Sequence, residues 1–323
     1  MPELPEVETV RAGLAPALTN ATVTAIEVLD ARSFKRHVGG VDDFIATMVG
    51  SKILAVVRRG KFLWMPLELP TGRSSGHKLA MVGHLGMSGQ MLLRTPGFAE
   101  DKLTRVIIHA VSESGERVEM RFIDQRLFGS LAIDDLVPTS DGLPGGFSNG
   151  LGVTSSGEST WWRNLIPASA AHIMRDPLDG DFDEKFVLAR FKKKNSGIKR
   201  VLLDQQTLSG IGNIYADEAL WRSHLSPTRK VATLVTKTGK PKAELGLLTE
   251  AIREVIADAI EAGDVARARE LATPILHPSL GSLSVPEQPV HFSGVPRGGR
   301  AAAPSLGADT DDILQRLTKG ETK

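Results

Sequence analysis

The chain has no cysteine among its 323 residues, which excludes a disulfide framework and any thiolate metal site. Its eight histidines, at 37, 77, 84, 109, 172, 224, 277 and 291, are scattered without ligand spacing, so a histidine-only zinc site is not expected either. No run approaches the about 18 apolar residues of a membrane span, and the N-terminus lacks a signal-peptide pattern. A cytoplasmic protein without a membrane partner is the expectation. An excess of charge is also missing: 39 Lys and Arg against 38 Asp and Glu leave +1. The balance is uneven along the chain. Residues 190–230 carry nine Lys/Arg (190, 192, 193, 194, 199, 200, 222, 229, 230) against three acids (204, 217, 218), a local +6. Such a cluster reads either as an anion-binding surface or as a solvated helix face.

What is present suffices for two domains and a sizeable core. Val7, Val10, Leu14 and Leu18 recur at helical spacing, with Arg11 between them. Strand-like runs follow at 22–29, 52–58, 62–67, 87–93, 104–111 and 117–123, separated by turn residues. One helix followed by several strands suggests a β-sandwich with a helix packed on it. The stretch 138–158 is crowded with Gly, Ser and Pro and reads as linker. Helical patterns then occupy 184–194, 197–205, 213–223 and 245–262, the last with one apolar stripe through Leu248, Ile252, Val255, Ile256 and Ala259. From about Asp264 the texture becomes rich in Pro, Gly and Ala, with a short amphipathic end at 310–317.

Four segments carry chemistry. The chain opens Met1-Pro2-Glu3-Leu4-Pro5-Glu6-Val7-Glu8-Thr9. Removal of Met1 would expose a secondary amine, whose pKa near about 8 makes it a better nucleophile at neutral pH than a lysine at about 10.4. Glu3 places a candidate general acid/base beside it, although Pro2, Glu3 and Glu6 also suit a plain helix start. In Arg58-Arg59-Gly60-Lys61-Phe62-Leu63-Trp64 a basic turn enters an apolar strand, and Lys61 there could meet a phosphate or simply water. His84-Leu85-Gly86-Met87-Ser88-Gly89 and Asp124-Gln125-Arg126-Leu127-Phe128-Gly129 each offer a bulky residue flanked by glycine. Met and Phe wedges with an accompanying Arg can hold an extruded nucleotide out of its stack; taken singly, Met87 and Phe128 read as core. Finally, the string from Ile198 to Leu220 is helix, glycine-punctuated turn, helix. Gly210 and Gly212 permit close backbone approach, and a helix starting near Asn213 would present free N–H groups to a phosphate.

Together, PELPEVETV, RRGKFLW, GHLGMSG, FIDQRLFG, LPGG and GIGNIYADEALWR closely resemble the Fpg/Nei family of DNA glycosylases over residues 1–263. The resemblance implies an α+β fold: an N-terminal helix plus β-sandwich over 1–137, a linker at 138–160, and a helical helix-two-turn-helix domain over 161–263. It implies a monomer that binds damaged double-stranded DNA in the cleft between the domains and excises oxidised purines such as formamidopyrimidine and 8-oxoguanine. By motif, Pro2 becomes the nucleophile that forms a Schiff base with the sugar before β,δ-elimination. Glu3 becomes the assisting acid and Glu6 a supporting group, while Lys61 contacts phosphate and aids catalysis. Met87, Arg126 and Phe128 would fill the gap left by the flipped base, and Lys199 and Asn213 would grip flanking phosphates.

The resemblance ends near Gly263. The family continues into a lesion-recognition loop and a four-cysteine zinc finger, for which this chain has no ligands, so no cofactor is expected. Residues 264–323 instead resemble the C-terminus of family III CoA-transferases and carry seven basic against seven acidic residues, no basic surface to replace the finger. Arg297 or Arg300 would be the substitutes in a zinc-free finger. The alternative expectation is therefore an impaired DNA-binding protein, or an abasic-site lyase alone.

Overall fold

The computed structural model describes residues 2–72, 76–96, 101–148, 160–268, 272–277 and 281–286, with side chains as far as Gly263. The chain divides into two compact units, 1–260 and 261–323. Of the second unit, the backbone forms an antiparallel hairpin of Ala272–His277 and Gly281–Pro286. The amphipathic end at 310–317, Arg297, Arg300 and the segment likened to CoA-transferases beyond that hairpin lie outside the described residues.

The first unit is α+β. Helix α1 (Leu4–Leu18) buries Val7, Leu14 and Leu18 as the apolar spacing requires. Ten antiparallel strands follow: β1 (Thr22–Val28), β2 (Lys52–Ile53), β3 (Val57–Arg59), β4 (Phe62–Glu68), β5 (Leu79–His84), β6 (Gln90–Arg94), β7 (Thr104–Val111), β8 (Arg117–Ile123), β9 (Ser130–Pro138) and β10 (Leu165–Pro167). Helix α2 (Gly40–Met48) lies between β1 and β2. The hydrogen-bonded order is β10-β9-β5-β4-β2-β1-β7-β8-β6, with β3 on β4. Strands β5 and β6 are far apart in that order, yet Gly83 of β5 sits against the Met91 side chain of β6, where an added Cβ would lie 2.2 Å from Cε. The sheet therefore folds over so that its two halves face one another, which is the sandwich arrangement. Its core joins Val7, Leu14 and Leu18 to Phe34, Phe44, Leu63, Met65, Met81, Met91, Val106, Ile108, Met120 and Phe122.

Strand pairing also sets the loops. His84 ends β5 opposite Ser130 at the start of β9, and Gln90 starts β6 opposite Ile123 at the end of β8. The β5–β6 and β8–β9 connections must then emerge side by side.

The glycine-rich stretch after β9 has linker composition, but part of it packs tightly. Phe147 and Arg58 exchange backbone hydrogen bonds of 2.7 and 3.0 Å, and Gly146 lies on the Trp64 ring. A second apolar cluster, with Trp64, Leu136, Trp162, Leu165 and Ile166, closes over it.

The helical part holds α3 (Glu184–Lys193), α4 (Ile198–Leu202), α5 (Asn213–Arg222) and α6 (Ala243–Ala268). Its core gathers Phe191, Ile198, Val201, Leu202, Ile211, Ala219, Leu248, Ile252 and Ile256. Leu4 belongs to this cluster, while Val7, Leu14, Ala15 and Leu18 of α1 belong to the core of the sheet. The first residues of the chain are thus built into the helical core. No helix among the described residues is long and apolar enough to cross a membrane.

Candidate active site and nucleic-acid interface

The N-terminus of α1 meets the turn before α5. The Leu4 N–H donates to the Gly210 carbonyl at 3.0 Å. Gly210 has φ +91, and a Cβ there would strike Leu4 at 2.5 Å, so this approach requires glycine. Gln205 braces the turn: its Oε1 accepts from the Gly210 N–H at 2.9 Å and its Nε2 donates to the Ile211 carbonyl at 2.9 Å.

Glu3 is buried, 4% exposed, and its carboxylate caps α5 from across the seam. Oε2 accepts from the N–H groups of Gly212 (2.7 Å) and Tyr215 (3.4 Å), and Oε1 from Ile214 (3.1 Å). These are the orphan donors of a helix start. The expectation of free N–H groups there for a phosphate is therefore corrected, because an internal carboxylate has taken them. The exposed Asn213 and Ile214, first two residues of α5, present their side chains outward at that point.

Glu6 bonds at both oxygens: one accepts from the Glu3 N–H at 2.9 Å, the other from the Tyr215 hydroxyl at 2.9 Å. Burial, and then the Glu6 charge, push the Tyr215 phenol far above its usual pKa, so it remains a donor. Lys61 stands in the turn between β3 and β4. Burial lowers its ammonium pKa, while the charges of Glu3 and Glu6 act in the opposite direction. That turn is pressed onto the one before α5: Gly60 takes φ +55, and a Cβ there would lie 2.6 Å from the Ser209 Oγ. Half-buried Pro2, Glu3, Glu6 and Lys61 are thereby brought together at one seam.

Behind the seam lies a network that the motifs did not reveal. Arg58, 1% exposed, donates to Glu8 at 2.6 Å and to Asp176 at 2.7 Å. Arg11 pairs with the same Glu8 at 2.7 Å, and both guanidinium groups lie over the Phe147 ring. Asp176 also accepts the Gly60 N–H at 3.0 Å. Helix α1, the Lys61 turn and the chain entering the helical part are locked through one buried ion cluster.

Met87, Arg126 and Phe128 form a separate group on the two adjacent loops. Met87 and Phe128 are 49% and 51% exposed, not core residues, and Arg126 reaches the Met87 sulfur at 3.9 Å. Lys199 pairs with Asp217 at 2.7 Å. Lys194, Arg222 and Arg229 are likewise paired, with Asp204, Asp258 and Glu244, so the basic stretch is in part neutralised by the fold.

Among the described residues no group of three or more His, Cys, Asp or Glu could hold a metal. The four-cysteine zinc site implied by the resemblance does not fit a chain without cysteine.

Residues 1–131 match the model of the formamidopyrimidine-DNA glycosylase N-terminal domain, and residues 173–269 that of the formamidopyrimidine-DNA glycosylase H2TH domain. A formamidopyrimidine-DNA glycosylase of Leifsonia xyli subsp. xyli is 49% identical over 225 residues, 70% of each chain. One from Kineococcus radiotolerans is 45% identical over 266 residues, 81% of this chain and 79% of its own. Among solved structures, Lactococcus lactis formamidopyrimidine DNA glycosylase, non-covalently bound to DNA containing an abasic site, superposes with a TM-score of 0.58 at 24% identity, covering 81% of both chains. That likeness speaks to the fold.

Proposed function

The chain belongs to the formamidopyrimidine-DNA glycosylase family and is a DNA glycosylase; we propose that it releases oxidised purines from duplex DNA and then cuts the abasic strand through an iminium on Pro2. The observation that carries this reading is the seam itself. The residue that would bear the free amine stands beside Glu3, Glu6 and Lys61, next to the exposed Asn213 at the head of α5.

With Met1 removed, the Pro2 nitrogen attacks C1′ of the damaged nucleotide. The N-glycosidic bond breaks and the base leaves with a proton, while the sugar ring opens to give a protein-bound iminium. Glu3 relays the amine proton to the ring oxygen, and the proton on the departing base comes from solvent. Loss of a C2′ proton expels the 3′ phosphate, and a second elimination expels the 5′ phosphate. Lys61, Lys199 and Asn213 hold the strand by its phosphates, which fixes register without reading sequence. Met87 and Phe128 occupy the vacated stack, with Arg126 facing the orphaned base. Damaged duplex DNA is the partner, and the protein acts as a monomer.

Borohydride reduction of the iminium tests the reading. The full chain should form a covalent adduct on an 8-oxoguanine duplex and on an abasic duplex, and Pro2→Gly should lose most of it. Equal trapping by the variant would remove Pro2 from the mechanism. A narrower reading, lyase chemistry without base release, is favoured by the missing cysteine ligands of the finger; adduct on the abasic duplex alone would select it.

A further inference from the structure

Asp124 opens the loop after β8 as a fully buried carboxylate, 0% exposed. Its Oδ1 accepts the Ser88 hydroxyl at 2.8 Å and the Arg126 N–H at 3.1 Å, and its Oδ2 accepts the Gly129 N–H at 2.7 Å. Ser88 follows Met87 on one loop, whereas Arg126 and Gly129 bracket Phe128 on the other. One side chain therefore holds both loops. Its own backbone is fixed as well: the N–H donates to the Leu103 carbonyl at 3.1 Å, and the carbonyl accepts from Arg105 Nε at 2.8 Å.

A buried carboxylate is costly unless its hydrogen bonds are made, and an apolar side chain would fill the space without that cost. What the carboxylate supplies is direction. Turning the Arg126 and Gly129 N–H groups to one point accompanies a left-handed conformation at Leu127, φ 56, which a leucine rarely adopts. Gly86 and Gly129 leave no room for a side chain between the loops, since a Cβ at Gly86 would lie 2.5 Å from the Gly129 nitrogen. Lys35 adds a brace from outside by donating to the Leu127 carbonyl. The outcome is two large apolar side chains held half in solvent with a guanidinium beside them, an arrangement that pays only if something stacks on it.

We propose that Asp124 is the positioning residue that sets Met87, Arg126 and Phe128 as one unit, and through them the discrimination of the base opposite the lesion. This rests on the glycosylase reading above and extends it to a residue that touches no nucleotide.

The test uses the full chain, its Asp124→Asn variant and its Ser88→Ala variant. Two substrates are compared: a single-stranded abasic oligonucleotide, which has no opposing base, and an 8-oxoguanine duplex with C or A opposite. Asparagine at 124 must aim an N–H₂ at N–H or O–H donors. Base release opposite C should then fall about 10- to 100-fold, and the C-over-A preference should shrink about tenfold or more. Borohydride trapping on the single strand should stay within about twofold. Ser88→Ala removes one of the three bonds and should move the preference in the same direction by a smaller factor. An unchanged preference in Asp124→Asn, with single-strand trapping intact, overturns the proposal. If that variant fails to fold, as a lost single-strand adduct and lost circular dichroism would reveal, an unchanged preference in Ser88→Ala overturns it instead. Absence of any adduct from the unaltered protein overturns the glycosylase reading, and this proposal falls with it. That outcome is distinct, because it appears before any variant is compared.

Discussion

Gly212→Ala is the sharpest probe of the seam. The backbone there has φ −120 and ψ −162, extended values that alanine adopts without strain, so the substitution acts only through its methyl group. That methyl would lie 2.3 Å from both the carboxyl carbon and Oε1 of Glu3. The carboxylate must leave the head of α5, taking with it the acceptors of three N–H groups. Loss of a helix cap costs about 0.5–2 kcal/mol, and hydrogen bonds to a charged group contribute about 1.5–3 kcal/mol each before rehydration. The reduced freedom of the unfolded chain returns about 0.4–1 kcal/mol. A net loss of about 2–3 kcal/mol follows, read as a Tm lowered by about 4–10 °C for a protein of this size. Single-turnover trapping on an abasic duplex should fall about 100-fold as the proposed acid/base group moves away. The decisive arm is the Glu3→Ala background, where the three atoms nearest the methyl are gone. There Gly212→Ala should be neutral or slightly stabilising, a strongly non-additive cycle. An equal cost in both backgrounds would refute the argument, since it would place the strain in the helical core and not on Glu3.

Three further outcomes are expected. Asp176→Asn weakens its bonds to Arg58 and Gly60 inside a buried ion cluster, so urea or thermal melts should show a loss of about 3 kcal/mol; a loss below about 1 kcal/mol would mean the cluster is already hydrated. His84 is held down to a pKa of about 4, first by burial and then by Arg36. The unfolded chain therefore takes up this proton first as pH falls. The stability it contributes is whole above about 6.5 and drains between 6.5 and 4. The full linkage of about 3 kcal/mol shrinks to about 1–2 for a half-buried ring, and His84→Gln should flatten that part of a stability–pH curve. Asp217→Asn frees Lys199 from its carboxylate and should tighten duplex binding at low salt, whereas Lys199→Ala should weaken it and reduce the salt slope of log K by about one; no change in slope would remove Lys199 from the phosphate contacts.

What the sequence disclosed and what it hid divide along chain separation. Strands β1, β7 and β8 and helices α3 and α5 stand within a residue or so of the periodic runs that announce them. Strands β5, β9 and β10 were not legible. Within β9 the pair Asp134-Asp135 breaks the apolar texture; the Asp134 side chain accepts the Ser169 N–H while its backbone pairs with Ala80. The run expected from Met87 starts only at Gln90, because Asp124 holds Ser88 in the loop. The candidate reactive groups lie in short contiguous strings and were found. The groups that aim them join residues 50, 118 and 209 positions apart, as in Glu8 with Arg58, Arg58 with Asp176, and Glu3 with Gly212. A single sequence carries no local mark of such pairs, with one exception. Glu8 and Arg11 fall three apart within the stretch of α1 that buries Val7, Leu14 and Leu18. Charges set among buried positions must find opposite charges, because a lone one would be driven out or neutralised. Glu8 and Arg11 meet that demand in each other, so the local string announces a buried ion pair but not its extension to Arg58 and Asp176.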